Sequence, residues 1–362
     1  MSDSEATAIK IRVIFVCGDR SFTVSDVIDA ALFRGELEPE WKNLLRLLAA
    51  EKKADEQDLE FDNDAIDAAA ERFRYEYDLI TAEETEQWLA GRGLALEDFS
   101  DFFVRHFWGE QWDDVEPAAI DYLSAPNEMR ELLTNELILT GELDRMAQRL
   151  SWRVAARCAT SERTVDPQLI ADEETRFFER SGLNGDQLAG WLQGLGRDPE
   201  WFPDTLAMEA IYRRDCAALL SRQARAREIA ALRLPLTRFE METIELDSLD
   251  AAREALLCAR EDGMSMEEVA AEGRYPYHHP EMFLEEIPED LQQKFLSVHP
   301  SEILDPIARG DGFHLCRIIG KKEPDVDDPL VTERADQRIL DRHFSDLTTR
   351  YIRWRYVACL AK

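Results

Sequence analysis

Basic residues are scarce in this chain. It has 43 Lys and Arg against 75 Asp and Glu, and its formal net charge at pH 7 is −32. Binding to a phosphate backbone or to an anionic membrane surface depends on clustered cations. The charge balance therefore argues against a nucleic-acid-binding protein. It is compatible with a basic or neutral polypeptide as partner, while a solvated acidic surface explains most of the charge.

The sequence also lacks the apolar runs of exported and membrane-spanning chains. The run nearest the start, IRVIFVC, is about one strand long and has no basic region before it. A signal peptide combines a basic region with an apolar one, and a membrane helix needs about 20 apolar residues. We therefore expect no signal peptide, no membrane span and a cytoplasmic location.

Diagnostic cofactor and metal motifs are missing too. The six cysteines are scattered without a CxxC pair, and there is no phosphate-binding loop, nucleophile elbow, dinucleotide fingerprint or HExxH. We expect reduced cysteines in the core, no cofactor and no metal site. An alternative for Cys17, beside a Gly-Asp turn, is a reactive thiol, although nothing near it in the sequence supports a lowered pKa.

The first two thirds of the chain read as a series of helices. After a polar tail at residues 1–10, a strand is predicted at residues 11–17, followed by a helix that residues 23–25 can cap. WKNLLRLLAAEKKA, residues 41–54, has apolar positions at three- and four-residue steps, which predicts an amphipathic helix. Helical patterns continue to about residue 235. The chain is long enough for two or three domains.

Two segments of this region echo each other. QWLAGRGLALEDF and GWLQGLGRDPEWF share the pattern W-L-x-G-x-G-x5-F. Trp88 and Trp191 are 103 residues apart, and so are Phe99 and Phe202. The match predicts a duplicated helical unit. The alternative is a pair of convergent hairpins with glycine caps.

The pattern changes near Pro235. RFEMETIEL alternates as a strand does, residues 248–263 form an amphipathic helical pattern, and RYPYHHPEMF reads as a loop. A short helix at residues 287–298 and a strand GFHLCRIIG follow. A final helix and a closing strand RYVACLA end the chain. The fold class is therefore α+β, with a mostly helical first region.

The segment from about residue 238 to 323 resembles a parvulin-type peptidyl-prolyl isomerase domain, of the PpiC family. The resemblance rests on two motifs, KFLSVHPSEILDPI followed by GFHLCRIIG. They match the turn and the Gly-aromatic-His strand of parvulins in order and spacing. The helical region before it is similar to that of SurA-type parvulins. The predicted domains are residues 11–120 (SurA-like helical region), 121–235 (second helical region), 236–324 (divergent parvulin-like domain) and 325–362 (helix and strand packing on the N-terminal region).

The resemblance implies a proline-binding groove and its residues. His314 corresponds to the histidine that begins the last strand, and Thr243 holds the slot where parvulins usually carry a second histidine. The implied catalytic residues are His314 and Thr243. The implied peptide-binding residues are Ile287, Leu291, Leu296, Phe313 and His314. An X-Pro bond isomerises over a barrier of roughly 18–20 kcal/mol, and a catalyst needs only to grip the proline ring and stabilise the twisted amide.

Departures from the parvulin pattern predict weak or lost catalysis. Besides Thr243, the aromatic pocket positions are leucine, and GRYPYHHPEMF has neither the Cys- or Asp-bearing loop nor the Gly-Gly-Asp-Leu-Gly segment of the family. His314 is alternatively a structural histidine. His278 and His279 are interpreted as surface or groove-lining residues; metal ligands are the alternative, but no third ligand stands at diagnostic spacing. The aromatic stripe FSDFFVRHFW, residues 99–108, predicts core packing, and client binding is the alternative.

The sequence thus predicts a SurA/parvulin-like protein that binds extended, unfolded or Pro-containing polypeptide, with weak or lost isomerase activity. The alternative is an accessory protein of a peptide-maturation pathway that holds a precursor peptide for a modifying enzyme. A third hypothesis is a structural subunit whose groove is filled by its own chain.

Overall fold

The computed structural model describes residues 11–112, 114–160, 165–310 and 312–355. The chain forms two compact units. Unit 1 extends to Cys216 and resumes at His343, and unit 2 is Ala217–Arg342. This division is coarser than the predicted domains, whose bounds stay predictions. The α+β fold class is confirmed, because helices predominate and the described strands form small antiparallel sheets. Among the described residues, no helix combines the length and the apolar character needed to span a bilayer.

Unit 1 contains a small sheet in the order β2-β1-β8. Its strands are β1 (Val13–Cys17), β2 (Arg20–Thr23) and β8 (Ile352–Trp354). Phe15, Val16 and Cys17 of β1 pair with β8, and Cys17 lies opposite the buried Ile352. The closing strand therefore begins earlier than predicted, within residues assigned to the last helix. Most of the predicted RYVACLA strand lies outside the described residues.

The helices of unit 1 follow one another along the chain, as predicted, and the longest stretch between them separates α5 from α6. They are α1 (Val24–Phe33), α2 (Leu37–Glu56), α3 (Asn63–Glu76), α4 (Ala82–Arg92), α5 (Leu96–Gln111), α6 (Asn127–Leu139), α7 (Glu142–Ala159), α8 (Pro167–Ser181), α9 (Gly185–Leu195) and α10 (Trp201–Leu219), which runs past Cys216. The Thr23 side chain caps α1, because its oxygen accepts from the Asp26 backbone N–H while the Asp26 carboxylate accepts from the Thr23 N–H.

The internal echo recurs in three dimensions. Helices α3, α4 and α5 are repeated in order as α8, α9 and α10, and both α4 and α9 begin with a capping box and end at a left-handed glycine. The ring centroids of Phe73 and Phe99 are 5.2 Å apart, and those of Phe177 and Phe202 are 5.0 Å apart. Both pairs meet edge to face. The repeat thus extends beyond the glycine caps to a whole three-helix unit, which supports the predicted duplication.

The aromatic stripe of residues 99–108 belongs to the core. Phe99, Phe102, Phe103 and Trp108 are all buried. Phe99 and Phe103 pack edge to face at 4.9 Å, and Phe102 and Phe103 do so at 5.0 Å. Burial of these rings contributes on the order of 1.5–3 kcal/mol each, so the prediction of a core role is confirmed.

Unit 2 is built on a sheet in the order β4-β3-β7-β6, with β5 also pairing with β3. Its strands are β3 (Arg238–Leu246), β4 (Tyr277–His278), β5 (Glu281–Phe283), β6 (Ile307–Arg309) and β7 (Gly312–Lys322). Its helices are α11 (Arg222–Ala231), α12 (Leu249–Arg260), α13 (Met266–Gly273), α14 (Glu289–Ser297) and the first part of α15 (Pro329–Tyr351). The expectation of a loop at RYPYHHPEMF was wrong, since it contains β4 and β5. These short strands extend the edge of β3, and the carbonyl of Pro280 between them accepts from the Met241 N–H at 3.0 Å.

The two faces of this sheet carry separate cores, because side chains alternate along a strand. Leu315 on β7 packs with α12 and α13 on one face. Cys316 and Ile318 pack with Phe295 of α14 on the other. The first part of α15 is held within unit 2 by ion pairs from its arginines, including Arg342 to Glu228 at 2.5 Å. At one end of the sheet face that packs on α14, the side chains are polar.

Candidate functional site

His314 lies at the polar end of the α14 face of the sheet in unit 2. The antiparallel register places it opposite Glu245 of β3 and opposite Ile307 of β6. It shares its face with Cys316, two residues farther along β7. Its side chain retains 18% of its exposure. The histidine is therefore half-buried between two strands and reachable from solvent.

A carboxylate stands between two imidazoles at this position. Glu245 Oε1 lies 3.9 Å from His314 Nε2 and 3.5 Å from His278 Nε2. The three side chains come from β7, β3 and β4, which are neighbours in the sheet. We call this set the histidine–glutamate row. Such distances are those of ion pairs once an imidazole is protonated, and one water can bridge the longer one.

The environment keeps His314 neutral at pH 7. Burial lowers the pKa of His314, and the positive charge of Arg309 on β6 lowers it further. The Glu245 carboxylate opposes this change, while His278 adds to it. A neutral imidazole offers one N–H donor and one acceptor nitrogen, so His314 can hydrogen-bond a peptide group without carrying charge.

Thr243 lies next to the row. It is buried, and its register partners are Cys316 on β7 and His278 on β4. Burial raises the pKa of Cys316 to about 11, so its thiol stays protonated and is a poor nucleophile. The structure thus places the two residues predicted to be catalytic on one face of the sheet. Thr243 belongs to the pair Thr243–Cys316, and His314 belongs to the next pair on that face, Glu245–His314. Their catalytic role stays a prediction.

The predicted apolar groove is only partly assembled. Ile287 and Leu291 pack in the core on the His314 face, where Ile287 is buried by its own unit. Leu296 is an exposed residue of α14. Phe313 packs with α12 and α13 on the opposite face. Successive residues of a strand point to opposite faces, so the structure does not bring Phe313 together with His314, and the peptide-binding role of Phe313 stays a prediction.

Two members of the row were absent from the predicted site residues, although a groove-lining role was one interpretation of His278. Glu245 follows Thr243 by two residues in a strand, so alternation alone places both on one face. His278 joins the row through the pairing of β4 with β3, which spans 35 residues and leaves no local signal. Over the described ranges, no group of three or more His, Cys, Asp or Glu side chains has the geometry of a metal site.

A second candidate site is an apolar cleft in unit 1. Its volume is about 1090 Å³, and helices α1, α2, α8 and α9 line it together with residues 116–124. The rings of Trp41, Phe177 and Trp191 contribute to its lining. The indole N–H of Trp41 donates to the Ile120 carbonyl at 2.7 Å and thereby holds the 116–124 segment along the cleft.

Comparisons with known proteins give matches at the level of structure alone. No family model matches the chain, and no curated protein matches its sequence. A peptidyl-prolyl isomerase, PrsA, from Bacillus cereus is 14% identical and has a TM-score of 0.34, covering 56% of this chain and 80% of that one.

Two further solved structures are also similar to this chain. PrsA from Bacillus anthracis is 15% identical at a TM-score of 0.29, with 54% of this chain and 97% of that chain covered. A SurA-like chaperone from Campylobacter jejuni is 8% identical at a TM-score of 0.20, with coverages of 60% and 88%. The structures that this chain is similar to are therefore foldases and chaperones of the PrsA and SurA kinds.

Proposed function

We propose that this protein binds extended or unfolded polypeptide in the manner of a chaperone, and that unit 2 carries a divergent parvulin-like site with weak or lost prolyl isomerase activity. The observation that carries the proposal is the apolar cleft of unit 1. Sites that bind small ligands usually enclose about 300–1,000 Å³. At about 1090 Å³ the cleft has room for a short stretch of polypeptide.

The lining of the cleft suits apolar side chains without demanding one sequence. Leu32, Leu45 and Leu183 add aliphatic surface to the aromatic rings. Charged groups of both signs stand among them, namely Glu38, Lys42, Glu116, Asp121 and Arg180. Burial of apolar surface supplies affinity. Because this interaction is non-directional, the cleft can accept peptides of many sequences. Such a surface fits a protein that holds unfolded segments better than one that selects a single small molecule.

The site in unit 2 supports the isomerase part of the proposal. His314 is neutral, half-buried and reachable, and it shares its sheet face with apolar side chains beside α14. These are the elements that the resemblance to parvulins requires. The exposed Leu296 and the burial of Ile287 leave less of a proline pocket than the resemblance implied. We therefore propose that any isomerisation is slow.

The chain offers a matched pair of variants to test polypeptide binding. Trp191 packs edge to face on Phe177 at 5.2 Å and lines the cleft. Trp88 is its counterpart in the first copy of the repeat and packs edge to face on Phe73 at 5.5 Å, away from the cleft lining. Trp191→Ala and Trp88→Ala thus remove the same ring from similar packing.

The measurement is the Kd of a panel of fluorescein-labelled, extended apolar peptides, determined by anisotropy. We expect Trp191→Ala to raise Kd about tenfold, which corresponds to about 1.4 kcal/mol. Trp88→Ala should leave Kd within about twofold of the wild type. Equal effects of the two variants, or no binding by the wild type, would refute the proposal. A precursor peptide of a maturation pathway is a narrower case of the same ligand and can be titrated in the same way.

The isomerase part has its own assay. A protease-coupled measurement on X-Pro peptides should show at most modest acceleration by the wild type, and His314→Ala should reduce it further. Acceleration that His314→Ala leaves unchanged would show that the row is not the site. A well-folded protein without any acceleration would confine the proposed function to binding.

A further inference from the structure

Glu245 and His278 have no role in the site as predicted from the sequence, yet the fold positions both against His314. The backbone N–H of Glu245 donates to the Pro276 carbonyl at 3.1 Å, and Glu245 lies opposite His314 across the β3–β7 pair. His278 is fixed to β3 through its pairing with Thr243. The two residues therefore reach His314 from strands whose mutual register the sheet determines.

The carboxylate is the one group of the row that can serve both imidazoles. The same oxygen, Glu245 Oε1, is the nearer atom to Nε2 of each ring, at 3.5 Å for His278 and 3.9 Å for His314. A charge 4 Å away changes the energy of an ion by about 1 kcal/mol even in bulk water, which equals about 0.7 pKa unit. The three groups are therefore close enough for the charges of Glu245 and His278 to act on the His314 imidazole.

The charged groups around His314 lie on the three neighbouring strands β3, β4 and β6. Glu245 on β3 favours the imidazolium form, whereas His278 on β4 and Arg309 on β6 oppose it. Cys316, on the same strand as His314, keeps its proton. The balance of these charges depends on residues that a substrate need not touch.

We propose that Glu245 and His278 are positioning residues for His314. The carboxylate between the two rings orients the His314 imidazole and sets the pH at which it becomes charged. His278, on the other side of the carboxylate, opposes the charged form of His314. The role in catalysis rests on the proposed parvulin-like function of this site, but the coupling among the three side chains does not.

The test is a histidine titration by NMR on the full chain. The chain has six histidines, so 13C-labelled imidazole signals can be assigned by single substitution. The variants are Glu245→Gln, His278→Gln and, as matched control, His279→Gln, which changes the exposed neighbour of His278 outside β4. Glu245 and His278 side chains are about half exposed, and circular dichroism checks that each variant is folded.

The expected shifts have opposite signs. Glu245→Gln removes a group that favours the charged ring, so the titration midpoint of His314 should fall by about half a pH unit. His278→Gln removes a group that opposes it, so the midpoint should rise. His279→Gln should leave it unchanged. Midpoints that stay constant in both row variants, or that move equally in the control, would overturn the proposal.

An isomerase pH profile separates this inference from the proposed function. If the wild type accelerates isomerisation, its rate should respond to pH with the His314 midpoint, and Glu245→Gln should displace that profile by the same amount. A displaced titration with an undisplaced profile would refute the positioning role. If the wild type has no isomerase activity, the proposed isomerase function fails, and with it the catalytic part of this inference, while the titration still decides the coupling.

Discussion

Replacing Asp144 by Asn should stabilise unit 1 at neutral pH. Asp144 lies in the first turn of α7, and burial raises its pKa from the ordinary value of 3.8 to about 6, although Arg92 acts in the opposite direction. The folded state therefore holds the Asp144 proton more tightly than the unfolded state does. The stability that this proton contributes is present below pH 3.8 and is lost as the pH rises through about 6.

The size of the effect follows from the shift in pKa. A difference of one unit is worth 1.36 kcal/mol, so a rise from 3.8 to about 6 corresponds to an upper limit of about 3 kcal/mol. Partial exposure of the side chain and relaxation of the chain reduce this figure, and we expect about 1–2 kcal/mol at pH 7. Asn has the same shape and cannot ionise, so the variant should gain this amount.

The assay uses the distribution of tryptophan along the chain. All eight tryptophans lie in unit 1, so urea unfolding followed by tryptophan fluorescence reports on that unit. Asp144→Asn should raise the urea midpoint at pH 7 and match the wild type below pH 4. Asp67→Asn, at an exposed position of α3, should match the wild type throughout. A gain that persists at pH 4, or a loss at pH 7, would refute the reasoning from burial.

Three further substitutions test the two candidate sites. Thr243→Val keeps the volume and removes the hydroxyl, so it should reduce any isomerase rate several-fold. Its urea midpoint, followed by circular dichroism because unit 2 contains no tryptophan, should stay unchanged. An unchanged rate would show that Thr243 is structural. Leu291→Ala should weaken binding of a short Pro-containing peptide to unit 2 about fivefold if Leu291 lines a groove, and unchanged Kd would argue against one. Leu195→Arg should raise the Kd of the cleft for extended peptides, because Arg92 lies 3.7 Å over the Trp88 ring at the equivalent spacing. An undiminished affinity would show that the Trp191 face is not used.

Local patterns in the sequence predicted the elements of unit 2 that their own residues specify. Ser248 accepts from the Ala251 N–H at 3.2 Å and begins α12 where the predicted amphipathic helix begins. The alternation of RFEMETIEL and GFHLCRIIG predicted β3 and β7 with bounds correct to within two residues. Each of these elements is specified by a window of about ten residues, so one sequence was enough to find it.

Elements that form only through distant partners could not be found in this way. Strand β4 has two residues and borders Pro276, and its local composition is that of a loop. It becomes a strand because Thr243 and Ile244 lie beside it. Strand β8 is stabilised by Cys17, 335 residues earlier in the chain. Such pairing gives no signal in a single sequence, so the predicted site lacked His278.

The two copies of the repeat use the same helical unit in different ways, because the tryptophan of the second copy lines the cleft and that of the first does not. In both copies a tryptophan packs edge to face on a phenylalanine of the preceding helix. In the first copy Arg92 stacks on the tryptophan from one turn farther along α4, and the guanidinium covers a ring face that would otherwise offer apolar surface. In the second copy the equivalent residue is Leu195, and Trp191 lines the cleft. Because backbone, caps and ring packing are shared, the difference in role is attributable to the side chains that surround the ring. The difference between Arg92 and Leu195 therefore fits the proposal that the cleft holds apolar polypeptide. It lies at a variable position of the shared W-L-x-G-x-G pattern, so the pattern alone does not tell which copy lines the cleft.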